Sequence, residues 1–140
     1  MAVHYAPDFG TKPMHACEYG NAVKYHFTAS KLAAINDTIE FGIIPAGVTI
    51  TDVKTINAVT QASCVMDLGY APVNATLGPT ASAAYWMDNA DIAAAGVDLS
   101  TSLPIHFEHP VRLIALITGA TTNTAARIDV ILDGIRVGVK

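Results

Sequence analysis

Apolar and polar residues alternate in short runs along this sequence, and Gly, Pro, Asn or Asp breaks each run. Val23, Tyr25 and Phe27 alternate with Lys24, His26 and Thr28. Successive side chains of an extended chain point to opposite sides, so this pattern gives a strand with one dry and one wet face. Residues 38–44 are rich in β-branched side chains and run into the turn Pro45-Ala46-Gly47. Residues 48–59 form a long run of Val, Ile and Thr whose apolar face switches between Ile50 and Val53, the mark of a β-bulge. Ala62, Cys64, Met66 and Leu68 make a further alternating face. Residues 105–107, between Pro104 and Pro110, read as an edge or bent strand. Residues 111–118 are apolar on both faces and belong at the centre of a sheet.

Near the end of the chain, residues 126–132 and 135–139 flank Asp133-Gly134. A two-residue Asp-Gly loop favours a type I′ hairpin. That register pairs Leu132 with Ile135, Val130 with Val137 and Ile128 with Val139, all on one face. The count is about eight strands with little helix, limited to single turns near residues 31–35 and 91–95. Short strands separated by turn signals pack as two sheets, so the expected fold is an all-β, eight-stranded jellyroll sandwich. No internal repeat points to a propeller or solenoid.

Residues 1–22 carry no period. Pro7, Gly10, Pro13 and Gly20 are interspersed with Tyr5, Phe9, Met14 and Tyr19. This segment reads as an extended N-terminal arm preceding a single domain at residues 23–140. Large apolar groups on such an arm lie against a surface, either that of a partner or that of its own domain. Residues 70–103, broken by Pro72, Gly78 and Pro79, read as a long loop with Tyr85-Trp86-Met87 in its middle. Loops of that length are usually functional. The candidate protein-contact residues are therefore Tyr5, Phe9, Met14, Tyr19, Tyr85 and Trp86. Trp86 also suits a plug at the end of the sandwich, and Tyr85-Trp86 an aromatic platform for a sugar.

Only 14% of the residues are charged and 51% are hydrophobic, against about a quarter charged in ordinary domains. A surface so poor in charge points to contact with another protein, although Ala, Thr, Ser and Asn also serve to solvate it. The net charge is −4 and no run of Lys or Arg exists, which argues against nucleic acid and anionic membranes as partners. The first residues lack the basic start and apolar run of a secretory signal. With no export signal, Cys17 and Cys64 are expected as thiols, Cys64 as a small core residue.

The motifs of catalysis are missing: no G-x-S-x-G, no Walker loop, no G-x-G-x-x-G. His106-Phe107-Glu108-His109 is the best metal candidate. On a strand, however, His106 and Glu108 share a face while His109 points away, and zinc needs three or four converging ligands. Asp88 with Asp91, and Asp129 with Asp133, are the carboxylate pairs. Asp133 is accounted for by its turn and Asp91 by a helix cap. The chain is thus expected to be no enzyme and to use no cofactor.

The stretches Phe41-Gly42-Ile43-Ile44-Pro45-Ala46-Gly47-Val48 and Ala90-Asp91-Ile92-Ala93-Ala94-Ala95-Gly96-Val97-Asp98-Leu99, with the proline-containing arm and the total length, resemble the cement, or head-decoration, proteins of tailed phages. The likeness is nearest to the jellyroll cement protein of a Bordetella phage. The resemblance implies a jellyroll, a homodimer, and binding to the outside of a capsid between neighbouring major capsid protein subunits. It also implies a virion location after assembly in the host cytoplasm. The alternative expectation is a carbohydrate- or receptor-binding jellyroll module.

Overall fold

The computed structural model describes residues 2–5, 21–30, 33–58, 63–122 and 127–138. Ten strands follow in order: β1 (Val3–Tyr5), β2 (Ala22–Ala29), β3 (Thr38–Ile44), β4 (Val48–Asn57), β5 (Val65–Pro72), β6 (Ser82–Asp91), β7 (Gly96–Leu99), β8 (Ile105–Phe107), β9 (Val111–Thr118) and β10 (Ile128–Arg136). No helix occurs among the described residues. One sheet has the order β1-β3-β9-β5-β6 and the other β2-β10-β4-β7, with β8 also paired to β4.

The antiparallel pairs are nested: β2 with β10, β3 with β9, β4 with β7 and β8, and β5 with β6. Successive strands from β2 to β5 alternate between the two sheets. A nest of this kind, rolled into two sheets, is a jellyroll. β7 meets residues 54–57 of β4 and β8 meets residues 48–50. Together they act as one interrupted strand, which brings the jellyroll to eight strands plus the added β1.

Alternation explains the core. Val23, Tyr25 and Phe27 of β2, Ile128, Val130 and Leu132 of β10, and Cys64, Met66 and Leu68 around β5 are all buried. β9 lies at the middle of its sheet, as its two apolar faces require. The switch of face in β4 is also real. Ile50 and Asp52 pair with the adjacent residues Gly134 and Asp133, leaving Thr51 as the extra residue of a bulge.

Four expectations give way. First, Asp133-Gly134 is not a hairpin turn. β10 runs straight through it, with Leu132 opposite Tyr25 on one side and Val53 on the other. Ile135 and Val137 are 43% and 59% exposed instead of sharing the core face. Gly134 is there because β4 presses on it: a Cβ would stand 2.5 Å from the Thr49 carbonyl oxygen. Second, residues 70–103 are not one loop, since they contain β6 and β7. Third, no helical turn forms at residues 91–95. Asp91 ends β6, and its Oδ1 accepts the Ala93 N–H at 2.9 Å. Near residues 33–37 the chain likewise makes a turn, with Asn36 at φ 67°. Fourth, a strand precedes Val23: β1 pairs in parallel with β3, His4 opposite Ile39.

Candidate interaction surface

β6 and β7 are the edge strands of their respective sheets, on the same side of the sandwich. The groove between them has a volume of about 340 Å³ and is lined by Trp86, Met87, Asp88 and Ala90 from β6 and by Asp98 and Leu99 from β7.

The local sequence builds this groove through irregular pairing. Leu68 pairs with Met87 but Tyr70 pairs with Ser82, so β6 holds three more residues than β5 between these points. The excess chain passes directly over Gly69, where a Cβ would overlap the Ser82 carbonyl oxygen. Only a glycine lets the two backbones approach this closely. The bulge breaks alternation, so Trp86 and Met87 are both buried although adjacent. A second bulge follows, in which Asn89 takes φ 53° and its N–H donates to Asp67 Oδ1 at 2.7 Å.

Trp86 is 4% exposed. It packs edge-on against Tyr70, Tyr85 and Phe107 with ring centroids 5.8, 5.8 and 6.3 Å away. Tyr70 stands 5.0 Å from Phe107, also edge-on, which joins the two sheets. Burial raises the pKa of the Tyr70 hydroxyl, and the neighbouring Tyr85 adds to the effect. Tyr85 is half-buried, and its hydroxyl donates to the Leu103 carbonyl at 3.2 Å. The Ser102 hydroxyl donates to the carbonyl of Tyr85 and, at 3.5 Å, to that of Trp86. The segment after β7 therefore closes the mouth at Tyr85 and leaves it open beside Asp88 and Ala90.

Among the other candidate contacts, Tyr5 occupies the last position of β1. Phe9, Met14 and Tyr19 lie outside the described residues, as does Cys17. Sequence reasoning missed Val97, Leu99 and Leu103, which are 60%, 64% and 80% exposed. The alternation Val97-Asp98-Leu99 was the available signal. It was masked by the small residues on either side.

Two register rows cross the outer face of the β7-containing sheet: Thr28–Asp129–Ile56–Val97 and His26–Ile131–Lys54–Leu99. The β7 end is apolar. At the β2 end, Asp129 accepts from Thr28 Oγ1 at 2.5 Å, pairs with His26 Nε2 at 3.0 Å, and receives Arg127 Nε and Nη2 at 2.9 and 3.2 Å. Burial pushes its pKa up, but these hydrogen bonds and the Arg127 charge outweigh burial and hold it below the usual carboxylate value.

Asp37 is a second hub. It joins His4 Nε2 at 2.6 Å and accepts the Ala2 and Ala34 N–H groups at 2.8 and 3.1 Å. The His4 hydrogen bond first, then those two N–H groups, lower its pKa. On the other sheet Glu40 Oε1 accepts Arg112 Nη1 at 3.0 Å. His106 Nδ1 lies 3.0 Å from Thr49 Oγ1, beside a cleft that Glu108 and His109 also line. No group of three or more potential metal ligands occurs among the described residues.

No protein-family model matches the sequence, and comparison with curated proteins returns no match. The fold does match. A chain of the capsid of Ralstonia phage GP4 superposes with a TM-score of 0.78 at 16% identity, over 96% of this chain and 98% of that one. A chain of the capsid asymmetric unit of cyanophage Pam1 superposes with a TM-score of 0.65 at 14% identity, over 89% and 91%.

Proposed function

We propose that this protein is a structural component of a phage virion that binds the outside of the capsid and cements neighbouring major capsid protein subunits. The observation that carries this reading is the whole-chain likeness to capsid chains of two phages. It agrees with the independent resemblance of the Phe41–Val48 and Ala90–Leu99 stretches to phage cement proteins. A capsid is held by many weak contacts under internal pressure. A small protein touching several subunits gains from multivalency and stabilises the state it binds by mass action.

On this reading the N-terminal arm, with Tyr5, Phe9, Met14 and Tyr19, anchors the jellyroll to a capsid subunit or to a second copy of the chain in a homodimer. A carbohydrate-binding role is less well supported, because Trp86 turns its ring into the core and offers no open face for a sugar to stack on. The test is co-sedimentation with shells assembled from the major capsid protein of the same phage, together with the heat resistance of those shells. Saturable binding that raises the shell's melting temperature is the expected result. A protein that stays in the supernatant overturns the proposal.

A further inference from the structure

The β6–β7 side of the sandwich combines three features that are independent of one another. Among the described residues β7 pairs with β4 on one side only, so its other edge is a row of backbone donors and acceptors open to a further strand. Its outward side chains Val97 and Leu99 continue an apolar strip with Ile56, the cross-strand partner of Val97. Its inward side chain Asp98 faces the groove that Asp88 lines from the opposite edge, and Asp91 ends the same β6 strand. Among the described residues none of these three carboxylates makes an ion pair. Asp98 is held in place by the Asn57 amide at 3.1 Å.

We infer that the β7 edge takes up an extended segment of the major capsid protein as an added strand, one whose apolar side chains alternate with Lys or Arg. The inference rests on the cement reading for the identity of the partner. The chemistry of the segment follows from the site itself. An added strand places alternate side chains on opposite faces. One set lies beside Val97 and Leu99 and must be apolar. The other enters the groove beside Asp88 and Asp98 and is best cationic. A second copy of this chain is a poor occupant. The protein carries a net charge of −4, and antiparallel pairing of two β7 edges in the register centred on Asp98 would bring that carboxylate against its own counterpart. Lys54, opposite Leu99 on the outer face, fixes which face of the added strand meets a positive charge and so disfavours Lys or Arg in the apolar row.

Two measurements on the full chain test this. The first titrates it with a synthetic peptide of alternating lysine and valine, with a glutamate–valine peptide as control, and reads amide shifts and hydrogen exchange. The lysine peptide is expected to shift Gly96, Val97, Asp98, Leu99 and the Trp86 indole, to slow exchange in β7, and to lose affinity in Asp88→Asn/Asp98→Asn. Equal response to both peptides, or shifts centred elsewhere, overturns the inference. The second compares shell binding of the wild type with Val97→Asp/Leu99→Asp, whose fold is checked by circular dichroism. Ile135→Asp, at an exposed position of β10, is the control. A loss of at least about tenfold confined to the β7 variant supports the site. Wild-type binding that the β7 variant retains overturns it and leaves the cement reading intact. A wild type that fails to bind shells overturns the cement reading and, with it, the named partner. A β7 variant that turns a dimer into a monomer shows a second copy to be the occupant and also overturns the inference.

Discussion

Gly134 sits where bulged β4 crosses closest to β10, and any Cβ there would meet the Thr49 carbonyl oxygen at 2.5 Å. An Asp-Gly pair is a hairpin signal because glycine accepts positive φ; here the same glycine serves close backbone approach, a cause that the local sequence does not distinguish. The two causes predict different mutant series. In a left-handed turn Asn is tolerated and Ala is not. In this strand Gly134→Asn and Gly134→Ala should each destabilise by about 1–3 kcal/mol in urea unfolding. Asn tolerated well above Ala would restore the turn. At the other end of β10, Asp129 carries a lowered pKa. A depressed carboxylate contributes its full stability above its unfolded pKa of about 3.9 and loses it as pH falls toward the folded value. Asp129→Asn should therefore cost about 1–3 kcal/mol near neutrality, and the melting-temperature gap to wild type should close as pH drops below about 4. A gap constant from pH 7 to 3 would remove Asp129 from the acid response.

At the scale of elements, what was legible is what alternates. β2, β5 and β9 were readable because each presents one regular face, or two apolar faces, to a fixed environment, and β3 and β4 because they are rich in β-branched residues, with the switch of face in β4 marking its bulge. β6 was not, because its two bulges put Trp86 and Met87 inward in succession and it opens on the small residues Ser82-Ala83-Ala84. The aromatic pair Tyr85-Trp86 was noticed, but inside a long loop instead of on an edge strand; of the readings offered for Trp86, the plug at the end of the sandwich agrees with its burial. β7 was missed because an edge strand of four residues shows its apolar side chains to solvent, which inverts the usual signal. β1 carries no pattern in three residues. It is held by pairing with β3 and by Asp37, which binds His4 and the Ala2 N–H. Asp37→Ala should accordingly raise amide exchange at Thr38, whose N–H donates to the Ala2 carbonyl at 3.0 Å, by about tenfold or more, with β5 and β9 amides unchanged. Exchange that rises equally throughout would mean that Asp37 supports the whole sandwich.

For the molecule as a whole, the nested pairing sets which parts the fold can lose. The nest opens at β2, closes with β10 against β2 and β4, and encloses the buried residues of both sheets. β1 lies outside it, at the edge beyond β3. Deleting residues 1–20 removes β1 and two of the three partners of the Asp37 side chain, Ala2 and His4, but no strand of the nest. A three-residue edge pairing with its side-chain hydrogen bonds accounts for about 1–3 kcal/mol, a fall of roughly 3–10 °C in melting temperature for a domain of this size. The truncated chain should still unfold in one cooperative transition with an unchanged β circular dichroism spectrum. If the arm anchors the protein as proposed, shell co-sedimentation should drop by far more than that loss of stability explains, because the truncated domain remains folded at the assay temperature. Undiminished binding would leave the β6–β7 edge to hold the capsid without the arm. A truncated chain with no cooperative transition would make residues 1–20 part of the folding unit, and the boundary between arm and domain would have to move to the start of β1.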